Sequence, residues 1–138
     1  MKPIPARPGW QPGRYTLVAG SASARAEWEA LADRVPDAAK AAFERLTSEP
    51  LTRRPKRQFP LRGHAQKPFW ELEVTGADRV WYAVSLTEMT VVVACSRKLH
   101  TAAELTKTIE KRRGAFDALP EPLPPEPVRI EARIRRNR

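Results

Sequence analysis

The chain has one cysteine, Cys95, in 138 residues. A lone cysteine makes no internal disulfide, and neither it nor His64 and His100 stand at a zinc-ligating spacing. A disulfide-stapled scaffold and a zinc module are thereby set aside, and a reducing cytoplasm is the expected compartment. Long hydrophobic runs are also missing. No apolar stretch approaches the roughly 20 residues that span a bilayer, and Met1–Pro12 lacks the apolar segment of a secretory signal. A membrane partner is not expected. Acidic residues are few: 16 Asp and Glu stand against 25 Lys and Arg, a net charge of +9. Such a balance says nothing about the fold, but it attracts polyanions: nucleic acid, an acidic protein or, less readily reconciled with the missing apolar runs, an anionic membrane surface.

What is present fits one modest domain, with 41% hydrophobic residues and the four Trp and four Phe as its main apolar anchors. Prolines at 3, 5, 8 and 12 mark residues 1–13 as an extended arm, packed by Trp10. Tyr15, Leu17 and Ala19 alternate with Thr16 and Val18, the pattern of a short strand. Ser21 or Ser23 then caps a helix whose stripe is Trp28, Leu31, Ala32 and Val35. Pro36 and Asp37 restart a second helix with Ala39, Ala42, Phe43 and Leu46 on one face. Pro50 ends it.

Leu51–Lys67 is different in kind. It holds Arg53, Arg54, Lys56, Arg57, Arg62 and Lys67, no acid, and three prolines or glycines after Pro50, which read as a loop. Three strands follow, joined by short turns into an antiparallel meander. In the first, Trp70, Leu72 and Val74 oppose Phe69, Glu71 and Glu73. In the second, Val80, Tyr82 and Val84 oppose Arg79, Trp81 and Ala83. The third is the Val-rich run from Thr90 to Ser96. Thr101–Glu104 matches a capping box, and Leu105, Ile109 and Phe116 mark a third helix. Residues 14–118 thus form the domain, and residues 119–138 a proline-rich spacer with a basic tail that is either a strand or disordered. The order β-α-α-β-β-β-α predicts an α+β fold: a small antiparallel sheet with helices on one face and the other face free for a ligand.

That order, and three segments of sequence, resemble the RelE/ParE toxin superfamily of type II toxin–antitoxin systems, in particular its RelE/YoeB-like branch. Pro60-Leu61-Arg62-Gly63 with Phe69-Trp70 resembles one family segment. Asp78–Val84 resembles its Arg- and Tyr-bearing strand. Val91–Cys95 followed by His100 resembles its last strand and terminal His. The resemblance covers roughly Arg14 to Phe116. It implies a ribonuclease that needs no metal or other cofactor and cuts mRNA on the ribosome, with a cognate antitoxin protein, the ribosome and mRNA as partners. ParE-like relatives share the fold and inhibit DNA gyrase instead, and a relative without activity would only bind RNA.

RNA cleavage of this kind needs a base for the 2′-OH, a cation for the phosphorane and an acid for the 5′-oxygen. Arg suits the second task because its planar fork matches phosphate. The resemblance assigns it to Arg79. The alternative for Arg79 is a strand residue beside Asp78, paired with Glu71 or Glu73 across the hairpin. His100 matches the terminal His, and so the acid, with Ser96–Leu99 as extra residues before it. Its alternative is a structural residue before Thr101. The family's glutamate just before Pro60 is replaced by Phe59. The base is then Glu73, Glu71 or His64, with Lys56 or Arg62 as basic substitutes, or it is absent. Tyr82 falls on the face opposite Arg79 and reads as core. Trp70 and Trp81 read as core before base-stacking platforms, and Cys95 as a buried small hydrophobe. The acid-free run Arg53, Arg54, Lys56, Arg57, Arg62 and Lys67 reads as a grip on RNA backbone, against a merely solvated charge run. The arginines of residues 129–138 offer a second grip, or a seat for an acidic antitoxin.

Overall fold

The computed structural model describes residues 2–61, 69–98, 107, 108, 111 and 112. The elements are β1 (Thr16–Ala19), α1 (Ala22–Arg34), α2 (Pro36–Ser48), β2 (Gln58–Pro60), β3 (Trp70–Glu73), β4 (Asp78–Ser85) and β5 (Thr90–Lys98). They build an α+β fold around one mixed five-stranded sheet in the order β1-β5-β4-β3-β2. β2 to β5 are antiparallel neighbours, and β1 runs parallel to β5. The parallel edge follows from the chain path, since β1 is separated from β5 by the helical pair and the meander.

The helices begin where local chemistry allows. Ser21 is the N-cap of α1, its hydroxyl accepting the Ala24 N–H at 3.0 Å, a cap whose removal costs about 1 kcal/mol. Ala24, Trp28, Leu31 and Ala32 form the buried stripe. Pro36 stands in the first turn of α2 with Asp37, and Ala39, Ala42, Phe43 and Leu46 are its buried face. Both helices pack on one face of the sheet, α1 against β5 and β1, α2 against β1. Trp70, Leu72, Val80, Tyr82, Val84, Val91 and Val93 meet them from the sheet.

The proline-rich N-terminal residues contribute to this core. Ile4 and Trp10 are buried, the Ile4 N–H donates to Leu17 O at 2.7 Å, and Pro3 bridges to Val18 beside β1. The Trp10 ring stands edge-on to Trp28 at 6.4 Å and tilted against Phe43 at 5.2 Å. Gly13 permits this path. Its N–H donates to Thr47 Oγ1 at 2.8 Å, and a Cβ there would lie 2.2 Å from Thr47 O.

Two expectations are corrected. Gln58–Pro60, expected inside a loop, is a strand. It is an edge strand, where Pro60 removes no needed ladder bond. The buried Gln58 amide fixes it to the end of α2, donating to Glu49 O at 2.9 Å and to Tyr82 Oη at 3.0 Å. The second face of the sheet, expected to be free, carries its own buried cluster of Val18, Phe69, Ala83, Val92 and Ala94. The valine run of β5 is apolar at every position, so both its faces leave water. A bulge accommodates it. Tyr82 pairs with Val93 and Trp81 with Cys95, so Ala94 is one residue extra in β5.

Candidate functional site

The register of the sheet lines up four charged residues at one end. Glu73 pairs with Arg79, and Arg79 with Arg97. The Glu73 N–H donates to Arg57 O at 2.7 Å, which sets Arg57 beside it, immediately before β2. Arg57, Glu73, Arg79 and Arg97 therefore form one row across β3, β4 and β5 and the residue that leads into β2. Two arginines directly opposite each other repel, and carboxylates relieve both. Arg79 Nε lies 3.5 Å from Glu71 Oε2, and its Nη2 lies 3.6 Å from Glu73 Oε2. Arg57 Nη1 lies 3.6 Å from the other oxygen of Glu73.

Arg79 is also held by the turn before it, its Nη1 donating to Thr75 O at 2.6 Å and to Asp78 O at 3.1 Å. Its side chain is only 12% exposed. The hairpin pairing with Glu71 and Glu73 is thus present. The Asp78 carboxylate instead takes Arg34 at 2.5 Å and the Thr75 hydroxyl at 2.6 Å. Glu71 is fixed from its other side by Trp81 Nε1 at 2.8 Å. Two arginines and two glutamates leave this middle of the row electrically balanced.

The basic segment reaches the row through a tight turn. Arg57 N–H donates to Arg54 O at 3.0 Å, and Arg54 and Gln58 exchange backbone bonds of 2.7 and 2.9 Å. Pro55 fixes φ at the first central position, and Lys56 takes φ +64° at the second. A glycine would hold that conformation without the roughly 1 kcal/mol that a side chain costs there. The turn exposes Arg53, Arg54, Lys56 and Arg57 together. Among the described residues, Arg53, Arg54 and Lys56 make no ion pair. Arg62, His64, Lys67 and His100 lie outside the described residues, as do most of the expected third helix and the whole C-terminal tail.

At the far end of the row Arg97 enters a second cation group, which the sequence reading did not single out. Arg97 Nε meets Glu27 at 3.1 Å, and Arg112 grips the same carboxylate with both terminal nitrogens at 2.8 Å. The Ser96 N–H donates to it at 3.1 Å. Burial pushes the Glu27 carboxyl up, but the bonds from Arg112, Ser96 and Arg97 outweigh this and hold it below its ordinary value. Arg112 is raised, chiefly by its bond to Glu27. Lys107 and Lys111 are each helical and stand four residues apart, the spacing that sets two side chains on one face of a helix. That spacing was legible. The carboxylate that gathers Arg97 and Arg112, 70 and 85 residues away, was not.

Other residues are packing. Tyr82 is buried, its hydroxyl donating to Pro50 O at 2.7 Å, and burial raises its pKa. Trp70 and Trp81 are buried, which denies them to an RNA base. Burial pushes the Cys95 thiol up to about 12, which removes it as a nucleophile. Among the described residues no three His, Cys, Asp or Glu side chains are placed to hold a metal ion. No helix among them is long and apolar enough to cross a membrane.

No protein-family model matches the chain, and no curated protein matches it. The chain is similar to a protein in the crystal structure of the toxin–antitoxin complex RelBE2 from Mycobacterium tuberculosis, with 24% identity over 63% of this chain and 93% of that one, at a TM-score of 0.41.

Proposed function

We propose that the chain is the toxin of a type II toxin–antitoxin pair and that it cuts mRNA on the ribosome, in the cytoplasm. The observation that supports this most is the row Arg57, Glu73, Arg79 and Arg97, flanked by the exposed cations of the 53–57 turn. Arg79 takes the scissile phosphate. Its contacts to Glu71 and Glu73, at 3.5 and 3.6 Å, are longer than the roughly 2.7–2.9 Å of a close charge-assisted bond. Exchanging one of them for a phosphate oxygen therefore sacrifices little. Glu73, released on that side, accepts the 2′-OH proton as the 2′-oxygen attacks phosphorus. The P–O5′ bond breaks, and His100 protonates the leaving oxygen, giving a 2′,3′-cyclic phosphate and a 5′-hydroxyl. Arg53, Arg54, Lys56 and Arg57, with Arg62 and Lys67, hold RNA backbone. A cognate antitoxin blocks the site.

A second reading has its own support. Arg79 is already neutralised by two carboxylates and nearly buried, which favours a ParE-like inhibitor of DNA gyrase that performs no chemistry. The experiment is induced expression in bacteria, wild type beside Arg79→Ala, with primer extension on a reporter mRNA. Growth arrest with cuts inside translated codons, lost in the variant, supports the nuclease. Arrest with intact mRNA moves the assignment to gyrase. Unimpaired growth in both rules out the toxin and leaves an RNA-binding relative.

A further inference from the structure

At the end of β5 lies an open cleft of about 690 Å³ whose lining includes Arg97, Lys107, Lys111 and Arg112 together with Ser21 and Ser23. Four cations from two elements face one space. The carboxylate among them, Glu27, is consumed by Arg97 and Arg112 at 2.8–3.1 Å. That pairing makes the wall rigid. Arg97 is further tied to Thr108 Oγ1 at 3.2 Å, and Arg112 to Ala94 O at 2.9 Å. The two lysines are spent on nothing comparable. Both are exposed, and among the described residues neither has an ion-pair partner. The first turn of α1, which lends Ser23 to the same cleft, holds no acidic residue; Ser21 Oγ takes the Ala24 N–H, while the N–H groups of Ala22 and Ser23 have no partner within the helix. A strongly positive concavity with hydroxyls on its rim suits a compact oxyanion that accepts several hydrogen bonds at once.

We propose that this cleft, which adjoins the row at Arg97 and does not include Arg79, is a phosphate-binding site, with Lys107 and Lys111 supplying the charge and Ser23 and Arg97 the orientation. The phosphate comes either from a polynucleotide backbone or from a free phosphate group. The backbone source rests on the RNA reading above; the site itself does not.

The full-length protein is titrated with inorganic phosphate by calorimetry and with a single-stranded oligoribonucleotide by fluorescence anisotropy at several salt concentrations. Two variants are compared with wild type: Lys107→Ala with Lys111→Ala, and Ser23→Glu. The second puts a carboxylate in the cleft at a helix N-terminus, where it favours the helix, so the thermal midpoint is not lowered while phosphate is repelled. If the backbone is the source, losing two phosphate contacts weakens the oligoribonucleotide roughly 25-fold at 0.1 M salt relative to the 1 M limit, and flattens the log–log salt slope by about 1.4. If a free phosphate is the source, only the calorimetric signal is lost. Either result supports the site. Wild type that binds neither probe, or binding of both that both variants leave unchanged, overturns it. Phosphate binding that depends on Lys107 and Lys111, with no oligoribonucleotide binding at all, defeats the RNA reading and leaves the cleft standing.

Discussion

Glu27 joins three parts of the molecule: α1, the end of β5 and the segment carrying Arg112. Glu27→Gln keeps the shape and the acceptor for the Ser96 N–H but removes the charge. An exposed ion pair is worth roughly 0.5 kcal/mol, while stripping the partner from a fully buried charge costs about 3–5 kcal/mol. Side-chain exposures of 20% for Glu27 and 13% for Arg112 place this pair between those limits. A loss of about 2 kcal/mol is expected. With a urea m-value of about 2 kcal/mol/M, the unfolding midpoint falls by about 1 M at pH 7 with m unchanged. The pH dependence follows from the same contacts. Glu27 binds its proton less readily in the folded state than its ordinary value of 4.5, so the unfolded chain takes up more protons. The stabilisation is complete above about pH 4.5 and is lost as pH falls through the lower folded value. Wild type and variant should therefore converge in acid. A midpoint shift below about 0.2 M at pH 7, or a gap that persists undiminished at pH 3, would mean that the charge on Glu27 does not hold these three parts together.

Trp10→Ala removes a buried ring packed on Trp28 and Phe43, and should cost about 3–5 kcal/mol in urea unfolding; a cost near zero would mean the N-terminal segment is not part of the folding unit. Lys56→Gly relieves the left-handed residue at the basic turn and should leave stability unchanged or higher by up to about 1 kcal/mol. The same change should flatten the salt slope of RNA binding by about 0.7; an unaltered slope would show that Lys56 touches no phosphate.

The sequence was most informative where one periodicity met one partner. The stripes Trp28-Leu31-Ala32 and Ala39-Ala42-Phe43-Leu46 were readable because each faces a single sheet surface. The alternation in β3 and β4 placed Arg79, Glu71 and Glu73 on one face and Tyr82 on the other, as found. Reading failed where both sides of an element are buried or where pairing is distant. Val91–Cys95 has no period to betray a second apolar cluster or the extra Ala94. Gln58–Pro60 is too short and too proline-marked to read as a strand, and its stability comes from Glu49, Pro50 and Tyr82. The attachment of Arg97 and Arg112 to Glu27 spans most of the domain and left no local trace.

The distribution of charge along the row bears on how an RNA strand would lie. Arg57, Arg79, Glu71 and Glu73 cancel in the middle, and Glu27 offsets one of Arg97 and Arg112. The uncompensated cations are therefore at the two flanks: Arg53, Arg54 and Lys56 beyond β2, and Lys107 and Lys111 beyond β5. From β2 to β5 is three strand spacings, about 14 Å. On the proposed reading, a polyanion is drawn to both flanks and stretched over a centre that adds little net attraction. Binding energy is then realised away from the reacting phosphate, and Arg79 is left to exchange a carboxylate for that phosphate as charge builds on it. This is the arrangement that favours a transition state over a ground state. It also separates the two kinds of variant: removing flank cations should weaken binding, whereas removing Arg79 should abolish cleavage with little change in affinity.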